Sequence, residues 1–268
     1  MMLAYVAALY DEVSRVLRTG RFESVRAPGG ILAWQSQGAR LGSAGPVEGV
    51  LLTITGWGAG AAATGAGWLV HELRPSAIVA VGYSGGTRPG LRPGSLVIGE
   101  QTARLGEQAS GAPIPSDRGL VGLAHSSSQE IRIPAAAGLV GTTTHIVSSA
   151  RQKAALGVNT GVLAVDLETW HFAQASGGGG IPFLAVRAIV DAVDDNLPGF
   201  VERMAPGPRP PAAMPAFRYL LGRPDGLPGV IQTGIAAGHA RRALAHFVSA
   251  FSARWLASPL AAAGKRAT

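Results

Sequence analysis

Asp191, Glu168 and Glu12 are three carboxylates placed where a buried acid is costly unless it meets a polar ligand or partner. Asp191 ends the run Phe183-Leu-Ala-Val-Arg-Ala-Ile-Val-Asp191, in which seven of the first eight residues are apolar. Such a run, without polar alternation, reads as a strand covered on both faces. In open α/β sheets ligands sit just beyond the carboxyl ends of the strands. A rigid strand that delivers an Asp there makes Asp191 the leading candidate for a general acid or base. Glu168 follows a strand ending at Asp166, and Glu12 follows the first strand of the chain. All three acids are expected at the same end of one sheet, which hints at a shared function. Taken singly, Glu12 and Glu168 are equally explained as acids favoured at helix N-termini.

Two glycine-rich segments accompany the acids. Gly82-Tyr83-Ser84-Gly85-Gly86 follows the strand Ala77–Val81 and reads as a loop whose N–H groups would cradle a phosphate, a ribose or a water. Gly56-Trp-Gly-Ala-Gly-Ala61 lies at another strand-to-helix junction and fits a dinucleotide fingerprint only superficially. The next strand ends in Val81-Gly82, without the acid that would hold a nicotinamide ribose. No Gly-Lys-Ser/Thr completes a Walker loop. The six His show no metal-ligand spacing, and the absence of Cys excludes thiolate chemistry and disulfides. No metal and no cofactor are expected, with phosphate left open as a co-substrate.

The elements that must position these residues alternate along the chain. Strands are expected at Leu3–Leu9, Phe22–Val25, Ile31–Gln37, Val50–Thr55, Ala77–Val81, Leu96–Ile98, Ala137–Thr143, Leu163–Asp166 and Phe183–Val190. Helices are expected at Asp11–Leu17, Ala59–Leu73, Ala150–Leu156 and Glu168–Ser176. Gln101–Arg132 reads as loop-rich. This alternation predicts a three-layer α/β/α sandwich with a mixed, mostly parallel central sheet. Residues 1–268 read as a single domain, in which 198–268 form a Pro-rich segment and a C-terminal helix. Ile231, Ile235, Leu244, Phe247, Val248, Phe251 and Trp255 recur at helical spacing, which fits packing on the core or on a second subunit.

A 47% apolar, 15% charged composition marks a globular chain. No uninterrupted apolar run of about 18 residues predicts a membrane span. The N-terminus lacks the basic start and cleavage site of a secretory signal, so a cytoplasmic location is expected. The net charge of +7 comes from scattered arginines, with Arg241-Arg242 the only adjacent pair, and no basic stripe interleaved with aromatics emerges. Nucleic acid is therefore not expected as a partner. An anionic small molecule, or peripheral contact of the C-terminal tail with an anionic membrane, is compatible with the charge.

Four segments resemble the nucleoside phosphorylase superfamily, which includes purine nucleoside phosphorylases and methylthioadenosine/S-adenosylhomocysteine nucleosidases. Ala8-Leu-Tyr-Asp-Glu-Val13 is similar to that family's Ala-Met-Glu-Glu-Glu-Val start. Gly82-Tyr-Ser-Gly-Gly86 with Leu91-Arg-Pro-Gly-Ser-Leu-Val97 resembles its Gly-Ser-Ala-Gly-Gly loop and following strand. Ala164-Val-Asp-Leu-Glu168 is similar to Val-Glu-Met-Glu, and Val186-Arg-Ala-Ile-Val-Asp191 to Val-Arg-Ala-Ile-Ser-Asp; this last pair is the most specific.

The resemblance implies cleavage of an N-glycosidic bond with release of a purine base. It implies that Asp191 protonates or hydrogen-bonds a ring nitrogen of the departing purine, that Glu168 with Leu167 receives the ribose, and that Glu12 orients or deprotonates a water. Ile146 and Val147 align with the base-binding segment, and the Gly82–Gly85 stretch and Gly56 with a phosphate or water loop. A homo-oligomer is also implied. Tyr83 and Val190 each replace a Ser of the family pattern, and the Asp of the base-binding loop is missing around Thr142–His145. No phosphate-gripping arginine pattern is evident near the N-terminus, which favours hydrolysis over phosphorolysis. A catalytically silent nucleoside-binding protein is the alternative that Tyr83 and Val190 motivate. Pro215–Pro228 and Ala154–Asp166 resemble the hopanoid-biosynthesis-associated phosphorylases, for which the substrate would be an adenosyl group on a polycyclic lipid.

Overall fold

The computed structural model describes residues 2–36, 39–40, 46–47, 49–106, 111–199, 201 and 227–258. In chain order the elements are β1 (Leu3–Ala7), α1 (Tyr10–Thr19), β2 (Phe22–Val25), β3 (Leu32–Ser36), β4 (Ala39–Arg40), β5 (Pro46–Val47) and β6 (Val50–Ile54). Then follow α2 (Ala59–Trp68), a π-helical turn at Leu69–Leu73, β7 (Ala77–Gly86), β8 (Leu96–Arg104), β9 (Ile114–Pro115) and α3 (Arg118–Glu130). The last are β10 (Ala135–Thr142), α4 (Ala150–Thr160), β11 (Ala164–Asp166), α5 (Thr169–Gly178), β12 (Phe183–Asp191) and α6 (Leu227–Ala257).

Ten strands form one mixed sheet in the order β11-β10-β8-β12-β7-β1-β6-β3-β2, with β9 beside β8. The ladder β12-β7-β1-β6 is parallel throughout. The sheet also bends back on itself, because β11 pairs antiparallel with β7 through Ala164–Gly86 and Val165–Gly85. Five strands therefore close a ring, and the ends of β7, β11 and β12 meet inside it.

Alternation along the central strands divides the core between two helical layers. Leu3, Tyr5, Val79, Leu184 and Val186 face α1, α3 and α6, packing against Val13, Leu120, Leu244, Phe247, Phe251 and Trp255. Ala4, Val6, Ile78, Ala80 and Ala185 face the other way, onto Ala62 and Ala66 of α2, Leu69 of the π turn and Phe172 of α5. This is the three-layer arrangement expected from the sequence. α6 belongs to the core, and the buried Tyr5 hydroxyl pairs with Ser252 Oγ at 2.7 Å. The stretches 206–211 and 216–226 lie outside the described residues.

Two expectations are corrected. Gln101–Arg132 is not loop-rich: β8 runs to Arg104, and α3 is capped by Asp117, which accepts from Leu120 N at 2.9 Å. The buried face of α3 is Leu120, Ala124, Ser127 and Ser128, and its two serines hide the apolar period. Gly82–Gly86 is not a loop either. β12 on one side and β11 on the other continue to pair with it, so β7 stays extended to Gly86. Among the described residues, no helix is long and apolar enough to cross a membrane.

Because Phe251 is fully buried at the centre of the α6 contact, Phe251→Ala is expected to destabilise the protein by about 3–5 kcal/mol. Chemical denaturation would measure this, and a loss below about 1 kcal/mol would contradict the assignment of α6 to the core.

Candidate active site

Glu12, Glu168 and Asp191, all buried, line one cavity of about 810 Å³. Glu168 and Asp191 arrive from two strands of the closed ring, and Glu12 from the helix that follows the neighbouring strand β1. Glu12 lies in the first turn of α1, directly after β1. Its Oε2 accepts the N–H groups of Ala8 at 2.9 Å and Leu9 at 2.8 Å, and its Oε1 accepts that of Tyr83 at 2.8 Å. Glu168 follows β11, and its Oε1 accepts the N–H of Gly58 at 2.7 Å. Gly58 has φ +88°, a left-handed conformation that suits glycine and aims this N–H at the acid.

Asp191 ends β12 at a register shift. Ile189 pairs with Ser84 and Asp191 with Gly85, so Val190 is extra. A bulge of this kind re-aims the side chain beside it. The customary Ser is absent at Val190, and the carboxyl finds a cation instead: Lys153 Nζ of α4 is hydrogen-bonded to Asp191 Oδ2 in a buried ion pair.

A second buried pair holds the turn that carries Glu168. Asp166 Oδ1 accepts from Thr142 Oγ1 at 2.8 Å and from the N–H groups of Glu168 and Thr169, each at 3.1 Å. Its Oδ2 lies 2.8 Å from Arg187 Nε, and Arg187 also donates to Thr169 Oγ1. Gly82 makes room for this cation: a Cβ there would sit 2.2 Å from Arg187 Nη1 and 2.8 Å from Glu12 Oε1.

These surroundings give the acids different proton affinities. Burial raises Glu12 to about 6, although three backbone N–H donors and the charge of Arg187 oppose the rise. Burial and then the charge of Asp166 raise Glu168 to about 8, against the Gly58 N–H and Arg187. Burial also raises Asp191, with Lys153 acting in the opposite direction. The Tyr83 phenol is pushed up by burial and by Asp11, to which it donates at 2.7 Å. Arg241 of α6 meets the other Asp11 oxygen at 2.5 Å, tying this corner to the last helix.

Most of the sequence-predicted residues converge. Leu167, Ile146, Val147, Tyr83, Ser84 and Gly85 line the cavity with the three acids. Gly82 and Gly56 are not among its lining residues. Gly82 leaves the space that the Arg187 and Glu12 side chains occupy, while Gly56 turns the chain after β6 and donates its N–H to Ala8 O at 3.1 Å. Ser84 Oγ donates to Val165 O at 3.1 Å and so helps to close the ring. Residues the sequence reading missed are Lys153, Arg187, Asp166 and Gly58. Arg187 carried a signal, as a lone charge inside an apolar strand that demands a buried partner. Lys153 carried none.

The described lining of the cavity contains five carboxylates, those of Asp11, Glu12, Asp166, Glu168 and Asp191, and no Lys, Arg or His. Its remaining walls are mostly apolar and include Val230, Thr233, Gly234 and Ala237 of α6. Among the described residues no group of three or more His, Asp or Glu could hold a metal ion.

Because the folded protein holds the Glu168 proton more tightly than the unfolded chain, whose ordinary value is about 4.5, ionising this acid costs stability. The cost is absent below pH 4.5, grows as pH rises and is complete above about 8. Glu168→Gln is therefore expected to stabilise the protein by upwards of about 1 kcal/mol at pH 9 and to change little at pH 4.5. Thermal denaturation at the two pH values tests this, and equal effects at both would refute it.

Comparison with known proteins agrees with this constellation. The sequence profile of the phosphorylase superfamily matches residues 33–206. A 5'-methylthioadenosine/S-adenosylhomocysteine nucleosidase of Actinobacillus succinogenes is 28% identical over 186 residues, covering 62% of this chain and 81% of the relative. The crystal structure of the nucleosidase of the same name from Neisseria meningitidis, in complex with methylthio-immucillin-A, superposes with a TM-score of 0.66 at 20% identity, covering 92% of this chain and 98% of the other. Futalosine hydrolase of Helicobacter pylori superposes with a TM-score of 0.67 at 16% identity, covering 92% and 97%. With about two thirds of its length matched by that profile, three acids around one cavity and the same fold as these enzymes, the chain belongs to the phosphorylase superfamily and is an enzyme.

Proposed function

We propose that this enzyme cleaves the N-glycosidic bond of an adenosine-type nucleoside by hydrolysis and releases the purine base. The observation that carries the reading is the charge of the cavity: three buried acids meet there, and no basic residue is among its described lining residues. A phosphate dianion would find no basic side chain among the described lining residues to receive it, whereas a neutral water needs none. That favours water over phosphate as the nucleophile.

The resemblance assigns each acid a role, and their position around one cavity supports it. The purine lies against the apolar Ile146 and Val147, with a ring nitrogen at Asp191. As the C–N bond breaks, its electron pair passes to the base, which takes a proton from Asp191, and the sugar gains oxocarbenium character. Glu168, with Leu167 beneath the sugar, accepts hydrogen bonds from the ribose hydroxyls and fixes the sugar. Glu12, ionised at neutral pH with its value near 6, takes the proton of the attacking water.

Room remains beyond the nucleoside. Cavities of drug-sized ligands run to about 300–1,000 Å³, and adenosine is at the small end of that class, so 810 Å³ leaves space for a second, apolar group. Val201, Val230 and Ala237 among the lining residues support a large hydrophobic substituent on the ribose, as in an adenosylhopane-type lipid. Ile231 and Ile235 lie on α6 beside this wall, about half exposed. They support peripheral contact of the same helix with the membrane that would hold such a substrate.

Chromatography of free adenine tests the reading. Release is expected without added phosphate, and a requirement for phosphate would convert the enzyme to a phosphorylase. Asp191→Asn is expected to lower release by about 10²–10⁴-fold while the fold persists. Calorimetric binding of adenosine compounds with no base released over hours would establish a silent binder instead. The rate kcat/KM should climb between pH 5 and 7 as Glu12 ionises. An adenosyl compound with a long apolar 5' chain should exceed adenosine in kcat/KM by at least about tenfold, since burying two methylenes contributes about 1.6 kcal/mol.

A further inference from the structure

Lys153 is one of two lysines in the chain, and its side chain is entirely buried. It stands in the first turns of α4, whose start is fixed twice. Ser149 Oγ accepts from Gln152 N at 3.2 Å, and Asn196 Oδ1 accepts from Ala150 N at 2.9 Å. The lysine stem passes Gly85, where a Cβ would lie 3.4 Å from Lys153 Cδ and 3.2 Å from Asp191 Oδ2. A little farther along, Gly157 brings α4 against the ring so closely that a Cβ would sit 2.3 Å from Thr87 O.

The ammonium reaches Asp191 Oδ2 and donates to Ala192 O at 2.5 Å. One cation therefore grips both the carboxyl and the backbone just past the bulge. Asp191 lines the cavity, and among the described residues no hydrogen bond engages its Oδ1. A buried ammonium costs several kcal/mol unless it is paired, so ordinary packing does not explain a lysine here.

We propose that Lys153 is a positioning residue for the leaving-group acid: it fixes the Asp191 carboxyl with Oδ1 free for the departing base and supplies the counter-charge for the carboxylate left behind. The inference rests on the hydrolytic reading above. When the C–N electron pair passes to the base and the base takes the proton of Asp191, the remaining anion is held by Lys153 and is not stranded in an apolar wall. Attack of water releases one proton at Glu12, so a turnover consumes none overall. Lys153 also bounds the pH range over which Asp191 keeps its proton. The charged groups acting on Asp191 are Lys153 from α4, which lowers its proton affinity, and Asp195 from the turn after β12, which raises it.

Removing the cation should therefore do two opposite things. Asp191 should keep its proton to higher pH, and its conjugate base should be a poorer leaving partner. In Lys153→Met, kcat is expected to fall at least about tenfold with KM within about threefold. The alkaline limb of the rate profile is expected to move up by about 1–3 pH units. Lys153→Arg, which keeps a cation, should return the limb to within half a unit of wild type. A wild-type limb in Lys153→Met, or equal loss in both variants with the limb unmoved, would overturn the proposal. Should Lys153→Met fail to fold by circular dichroism, the arginine variant decides the matter, because a displaced limb there overturns it too. Asp191→Asn is run in parallel. If it still releases base, the hydrolytic reading itself fails; if it is inactive while the lysine variants leave the limb in place, only the role of Lys153 fails.

Discussion

A guanidinium sealed inside the sheet makes the rest of the site possible. Arg187 projects from the middle of β12 with 1% of its surface exposed, 2.8 Å from Asp166 and bonded to Thr169. Its far end lies over Gly82, and its charge reaches Glu12 through space. Without this cation, Asp166, Glu12 and Glu168 would be three acids in a low-dielectric interior with no opposite charge among them. With it, the turn after β11 has a fixed anchor, Glu12 has a counter-charge, and Glu168 can be brought near both. The glycine at position 82 belongs to the same arrangement, because any side chain there would displace the guanidinium.

The three carboxyl groups differ in what compensates them, and the division of labour follows from that. Glu12 is surrounded by backbone N–H donors and remains ionisable near neutrality. Glu168 is buried with a single N–H donor and Asp166 as a neighbour, so it holds its proton up to about pH 8. Asp191 has a dedicated cation of its own. Environments that drive similar groups apart are how one cavity hosts an acid, a base and a sugar clamp together.

The elements were largely legible because periodicity and strand ends are local properties. Phe183–Asp191 reads as a buried strand ending on an acid, and the structure places it so. The closure of the ring was not legible, since it depends on Ala164 and Val165 pairing with glycines some 80 residues earlier. For that reason Gly82–Gly86 looks like a loop in sequence and is a strand in space. α3 was missed because serines occupy its buried face. Lys153 was unreadable for a different reason: its partner lies on another element, and nothing in Ala150–Thr160 distinguishes a buried lysine from a solvated one.

The last helix does two jobs along its length. From Leu244 to Trp255 it is core, whereas Val230, Thr233, Gly234 and Ala237 face the cavity, and the Tyr83–Asp11–Arg241 cluster sits between the two stretches. Substitutions in the first part change which molecules enter while leaving both the folding determinants and the three acids untouched. Evolution therefore has a dial for substrate range that is mechanically separate from the reaction centre, and new specificities on this scaffold should arise by drift in one helical turn or two.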